Sequence, residues 1–181
     1  MLNIDKDDIR RVASQLDAFY TALKCFIYYV EIKNKQDVEK DNVDCWNFIE
    51  FTLIYTMLIN WNEVFGINKD NKHWKEITFE QPEYTNRLYH AGEYTYTSWT
   101  EYRSNINDLS NNFISFPDPY HHREQKYNLE GIKVSLEVTH DWLYELVADN
   151  EGILDTEESE KWPITNKNHI DELKQEIQTI L

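Results

Sequence analysis

Apolar residues in this chain return every three or four positions over long uninterrupted stretches, and only a helix buries residues at that spacing on one side. Ile9, Val12, Leu16, Phe19, Leu23, Phe26 and Val30 make one such stripe, with Asp17, Lys24 and Glu31 on the opposite face. Asp5 stands where an N-cap belongs, with Asp8 three residues on, and the stripe ends near Ile32 ahead of the polar run 33–41. A second helix is expected over about 42–65, closed by Gly66. There Trp46, Phe48, Ile49, Phe51, Leu53, Ile54, Met57, Leu58, Trp61 and Val64 surround almost the whole cylinder. An all-round apolar helix is ordinarily central, so this one is expected to be the most buried element.

The pattern returns twice more in long helices. Trp99, Tyr102, Ile106, Leu109, Phe113 and Phe116 follow Ser98, with Glu101 placed to complete a capping box, and Pro117 and Pro119 end the run. Leu129, Ile132, Leu136, Thr139, Leu143 and Leu146 make the next stripe, in a helix beginning near Tyr127. Asn168 is placed to cap a short final helix bearing Ile170, Leu173, Ile177 and Ile180. A modest helix is expected from Pro82 to just before Gly92, and a helical turn around His73, Trp74 and Ile77. Only 4 Gly and 4 Pro occur in 181 residues, too few for the tight turns of a many-stranded β fold. The expectation is an all-α fold: a helical bundle of four to five main helices plus short helical turns. It forms a single domain over 1–181, with an acidic solvated loop at 149–165 before the last helix.

Charge then limits the partners. With 33 acidic against 18 basic residues the net charge is −15, which repels nucleic acid and anionic membranes alike except where a local basic patch intervenes. The acidic start Met1–Asp8 does not read as a signal peptide, and no stretch approaches the ~20 apolar residues of a membrane span, so a cytoplasmic location is expected. Cys25 and Cys45 lie in apolar helical runs; they allow one disulfide, with buried free thiols as the ordinary cytosolic alternative.

The residues that carry chemistry are sparse. His121 and His122 are adjacent and so diverge, and no His-x-x-x-His or Glu-x-x-His spacing exists; neither a metal nor another cofactor is expected. No nucleophile elbow or glycine-rich phosphate loop is present. Most aromatic residues fall on the helical stripes as core, leaving Tyr94, Tyr96, Tyr120 and Tyr127 near helix ends. The densest basic cluster is His121, His122, Arg123 and Lys126, after the long helix that carries Arg103. It is the one place where an anion or RNA contact is expected.

Trp61-Asn-Glu-Val-Phe-Gly66, His73-Trp74-Lys75, Tyr102-Arg103 and Ser110-Asn-Asn-Phe-Ile-Ser-Phe116 resemble the landmarks of HEPN-type helical bundles of mobile-element and phage-defence contexts. Pro117-Asp118 and the helix with Trp142-Leu143 sit where similar families carry their last bundle helix, so the resemblance spans about 45–147. Active members of that family are metal-independent ribonucleases, whose Arg and His converge in a homodimer cleft. Carried onto this chain, the Arg position falls on Ser110, the Asn on Asn111 and the His on Phe116, while Asn111, Phe113 and Ile114 match. Serine has no guanidinium fork and phenylalanine does not titrate. The resemblance therefore implies a non-catalytic, homodimeric bundle acting as a binding or regulatory protein of a mobile genetic element, through a protein partner or small ligand. Its candidate binding residues are Arg103, Asn111, Asp118, Tyr120, His121, His122, Arg123 and Lys126. One alternative is a metal-independent endoribonuclease using His121, His122 and Arg123 of the 120–126 loop. Another is a small-ligand binder with an aromatic pocket.

Overall fold

A computed structural model describes residues 6–36, 43–67, 74–78, 81–115, 128–148 and 167–180. Every regular element among them is helical: α1 Lys6–Gln36, α2 Val43–Phe65, α3 Trp74–Ile77, α4 Pro82–Ala91, α5 Tyr96–Ser115, α6 Glu130–Ala148 and α7 His169–Ile180. The chain is an all-α helical bundle. Asp5, His73, Tyr127, the loop 149–165 and six candidate binding residues, Asp118, Tyr120, His121, His122, Arg123 and Lys126, lie outside the described residues.

The helix ends follow local chemistry, and three of them depart from expectation. α1 continues past Ile32 through Lys33, Asn34, Lys35 and Gln36. Two cations in a last turn complement the helix dipole, and Lys33 Nζ also lies 2.5 Å from the Glu50 carboxylate on α2. α5 begins at Tyr96 rather than after Ser98, because Thr95 is the cap: Ser98 N donates to Thr95 Oγ1 at 3.1 Å, and Thr95 N donates to Ser98 Oγ at 2.9 Å. Serine thus closes the capping box in place of Glu101. α6 begins at Glu130, where Asn128 Oδ1 accepts from Glu130 N at 3.2 Å.

Gly66 ends α2 because nothing larger fits: a Cβ there would stand 2.2 Å from Asn62 O. α4 closes differently. Tyr94 N bonds Tyr89 O at 2.8 Å and Glu93 N bonds His90 O at 3.3 Å, the Schellman arrangement, with Glu93 rather than Gly92 at positive φ (53°).

α1 packs most extensively on α2, α2 also on α5, α4 on α6, and α7 on α1. Phe51 of α2 stacks on Phe113 of α5 at 5.7 Å while Trp61 meets Trp99 at 6.2 Å, so α2 and α5 run antiparallel. One apolar cluster takes residues from Leu16 in α1 to Leu173 in α7. Its centre is the C-terminal half of α2, where Met57, Leu58, Trp61, Val64 and Phe65 have no exposed surface. The N-terminal half of α2 departs from expectation: Phe48 is 60% exposed, and Cys45 and Thr52 are exposed as well. Among the described residues α1 and α5 are the main neighbours of α2, and these side chains of its first half are exposed.

Both cysteines are free, Cys25 half-buried and Cys45 exposed, so the expectation of buried thiols holds for neither in full. Burial pushes the Cys25 thiol up. The structure forms no disulfide between them. Among the described residues no helix is long and apolar enough to cross a membrane.

Candidate functional site

The α2–α5 pair holds the two described candidates. Arg103 projects from α5 onto the end of α2, where Nε donates to Phe65 O and an Nη donates to Gly66 O. A helix C-terminus leaves its last carbonyls unpaired, and this guanidinium satisfies two of them. Burial pulls the Arg103 pKa down, opposed by Tyr89 and Tyr96 nearby. Its hydrogen-bonding capacity is thus directed largely inward. Asn111 lies two helical turns further along α5 and is exposed. The structure does not bring Arg103 and Asn111 together.

Between them the interior is aromatic and tightly keyed. Trp99 and Tyr102 stack at 5.9 Å with rings 10° from parallel, and Trp61 meets both edge-on. Tyr102 Oη accepts from Ile132 N at 3.1 Å and donates to Asn128 O at 3.0 Å, locking α5 to the start of α6. Gly131 admits this approach: a Cβ there would come within 2.4 Å of the Tyr102 ring. Deeper in, Trp61 Nε1 donates to Ser135 Oγ at 2.8 Å, and Tyr84 Oη and Thr139 Oγ1 share a bond at 2.7 Å. The polar tips of Trp61, Tyr84 and Tyr102 are paired, whereas the buried Trp99 Nε1 has no hydrogen-bond partner among the described residues, and burial raises the pKa of both Tyr84 and Tyr102.

Ser110, where the family resemblance places an arginine, is 3% exposed and faces the core. No group of three His, Cys, Asp or Glu side chains that could hold a metal occurs among the described residues. A shallow cleft of about 330 Å³ lies between α3 and α4, lined by Trp74, Lys75, Pro82, Thr85 and Asn86.

The largest departure from the sequence reading is a face of α2 that was expected in the interior. Cys45, Phe48, Thr52, Tyr55 and Ile59 follow three-four spacing along the outer side of α2, and Ile114, 53% exposed, stands at the same end on α5. From Cys45 to Asn62 the only charge is Glu50, which is buried against Lys33. On α5 the last seven residues, 109–115, carry no charge at all. In a chain of net charge −15 this is a neutral, partly apolar surface. The sequence did hold a signal for it: α2 has more apolar positions than one buried face of a two-turn-wide stripe requires.

No protein-family model, curated protein or solved structure matches the chain.

Proposed function

We propose that the chain is a non-catalytic HEPN-like helical bundle that works by binding, as a cytoplasmic homodimer serving a mobile genetic element in a regulatory role. The neutral strip on α2 and the end of α5 is the observation that carries the binding half of this reading. Exposed apolar surface bordered by polar residues marks interaction sites, and two molecules of charge −15 meet at least cost where neither presents charge. The strip from Cys45 to Ile59 runs about 21 Å along α2, and with α5 alongside it is about 20 Å wide. That is roughly half of the ~800 Å² per partner of a standard interface, the size of a small contact. The mobile-element context rests on the resemblance described above. The non-catalytic half rests on Ser110 and Phe116 standing in place of the catalytic pair.

Light scattering is expected to give about twice the 21.9 kDa chain mass, and Phe48→Asp, which sets a carboxylate in the strip, is expected to give a monomer. A wild-type monomer at micromolar concentration ends the homodimer reading. Purified protein is expected not to cleave single-stranded RNA or transfer RNA, with or without divalent metal. Acid–base help is worth about 10²–10⁴-fold, so its loss is readily seen. Cleavage abolished by His121→Ala, His122→Ala or Arg123→Ala in a folded protein would establish the ribonuclease alternative instead. The cleft beside Trp74 favours the small-ligand reading as second, and a ligand that quenches tryptophan fluorescence and is lost in Asn86→Ala would support it.

A further inference from the structure

α7 is held to the bundle at two places of different chemistry. Along α1, Leu173 and Ile177 are buried, Lys24 Nζ pairs with Glu176 at 3.3 Å, and Gln178 donates to Glu31 at 3.0 Å. At its first residue, His169 stacks on His140 of α6 with ring centroids 6.2 Å apart and planes 18° from parallel, while Tyr20 of α1 meets His169 edge-on at 5.9 Å.

His140 has no exposed surface, although it is a titratable side chain. Its Nδ1 lies 3.4 Å from Asp141 Oδ1, and its Nε2 has no hydrogen-bond partner among the described residues. His140 therefore offers a cation stacked on it no compensating bond through Nε2. His169 opens α7, where the helix dipole is positive and disfavours a cation.

We propose that the His140–His169 stack is a pH-sensitive latch, holding α7 on the bundle near neutral pH and releasing it in mild acid. The groups facing the stack weigh as follows. From α6, Asp141 favours a proton but is 70% exposed, so water screens it. From α7, Glu172 and Glu176 favour it, Glu176 being already engaged by Lys24. From α1, Lys24 opposes it. For His169 the balance falls below the ordinary imidazole value, with burial the largest cause and His140 the next. A group whose folded pKa is depressed contributes docking that is complete above its released value near 6.5 and is lost as pH falls below it. A released 12-residue helix is too short to persist alone, so release is also unfolding of α7.

Hydrogen exchange of the full chain, corrected for intrinsic rates, compares pH 7.5 with pH 5.0. Amides of 169–180 are expected to lose protection by about 10-fold or more, one imidazole allowing up to ~30-fold over this range. α2 keeps its protection. His169→Phe, which retains the ring stack and cannot titrate, is expected to reduce that loss below about 2-fold. Equal protection of α7 at both pH values, or the same loss in His169→Phe, overturns the latch. Should that variant misfold by circular dichroism, imidazole proton resonances of the wild type decide. His169 titrating together with the loss of α7 protection supports the latch; its titrating while α7 stays protected overturns it.

Discussion

Trp61→Ala is expected to lower unfolding free energy by about 3–5 kcal/mol, the usual cost of emptying a buried large aromatic site. Trp61 has no exposed surface and stacks on Phe65 at 5.3 Å, with Trp99 and Tyr102 edge-on to it. Those neighbours belong to helices α2 and α5, so the cavity opens where two elements meet rather than inside one that can close on itself. The substitution also removes the indole N–H that donates to Ser135 Oγ, which keeps its own bond to Ile132 O at 2.9 Å. Trp61→Phe separates the two contributions: it keeps ring contacts and loses the hydrogen bond, so a smaller loss of about 1–2 kcal/mol is expected. Urea unfolding followed by far-ultraviolet circular dichroism measures both. A loss below ~1 kcal/mol for Trp61→Ala would mean that this junction does not hold the bundle together.

Arg103→Leu is the second large effect, an expected loss of about 2–4 kcal/mol, since charge-assisted bonds to two carbonyls disappear and those carbonyls remain partly buried. The result also sorts two roles for this residue. An arginine displayed for an anionic ligand costs little when removed, because it has few partners in the free protein. One that closes the end of α2 costs much. Unchanged stability in Arg103→Leu would return Arg103 to the list of binding residues and sink its assignment as the group that closes α2. Arg103→Lys is expected to recover only part of the loss, because a single ammonium cannot reproduce the fork that spans Phe65 O and Gly66 O.

The helices were legible in the sequence because their causes are local. The stripe Leu16, Phe19, Leu23 and Phe26 needs only the 3.6-residue turn to become one face, and all four are buried in the structure. Pro82 and Gly92 marked the limits of α4 for equally local reasons: a ring that suits a first turn, and a residue just past the last one. Single-residue boundaries were harder, as the Thr95–Ser98 cap illustrates. Thr95, Ser98 and Glu101 all have the chemistry of a capping box, and spacing alone does not say which pair closes it. At the candidate site, the family resemblance named Arg103 and Asn111 as groups able to bind, but their directions depend on what lies beside α5.

Hydrophobicity along the chain thus determined that this protein is helical and which positions seek burial, because both follow from the period of the backbone. It could not determine which apolar positions receive a neighbour. Phe48 and Trp61 look alike on α2, yet one is 60% exposed and the other has no exposed surface, since Trp61 faces Trp99 of α5 and Ser135 of α6 while Phe48 lies on the outer side of the helix. His140 and His169, 29 residues apart on separate helices, carry no joint signal in sequence and become a stack only when α7 lies against α1. Burial is a property of a place in the assembled bundle, and only tertiary packing supplies the place.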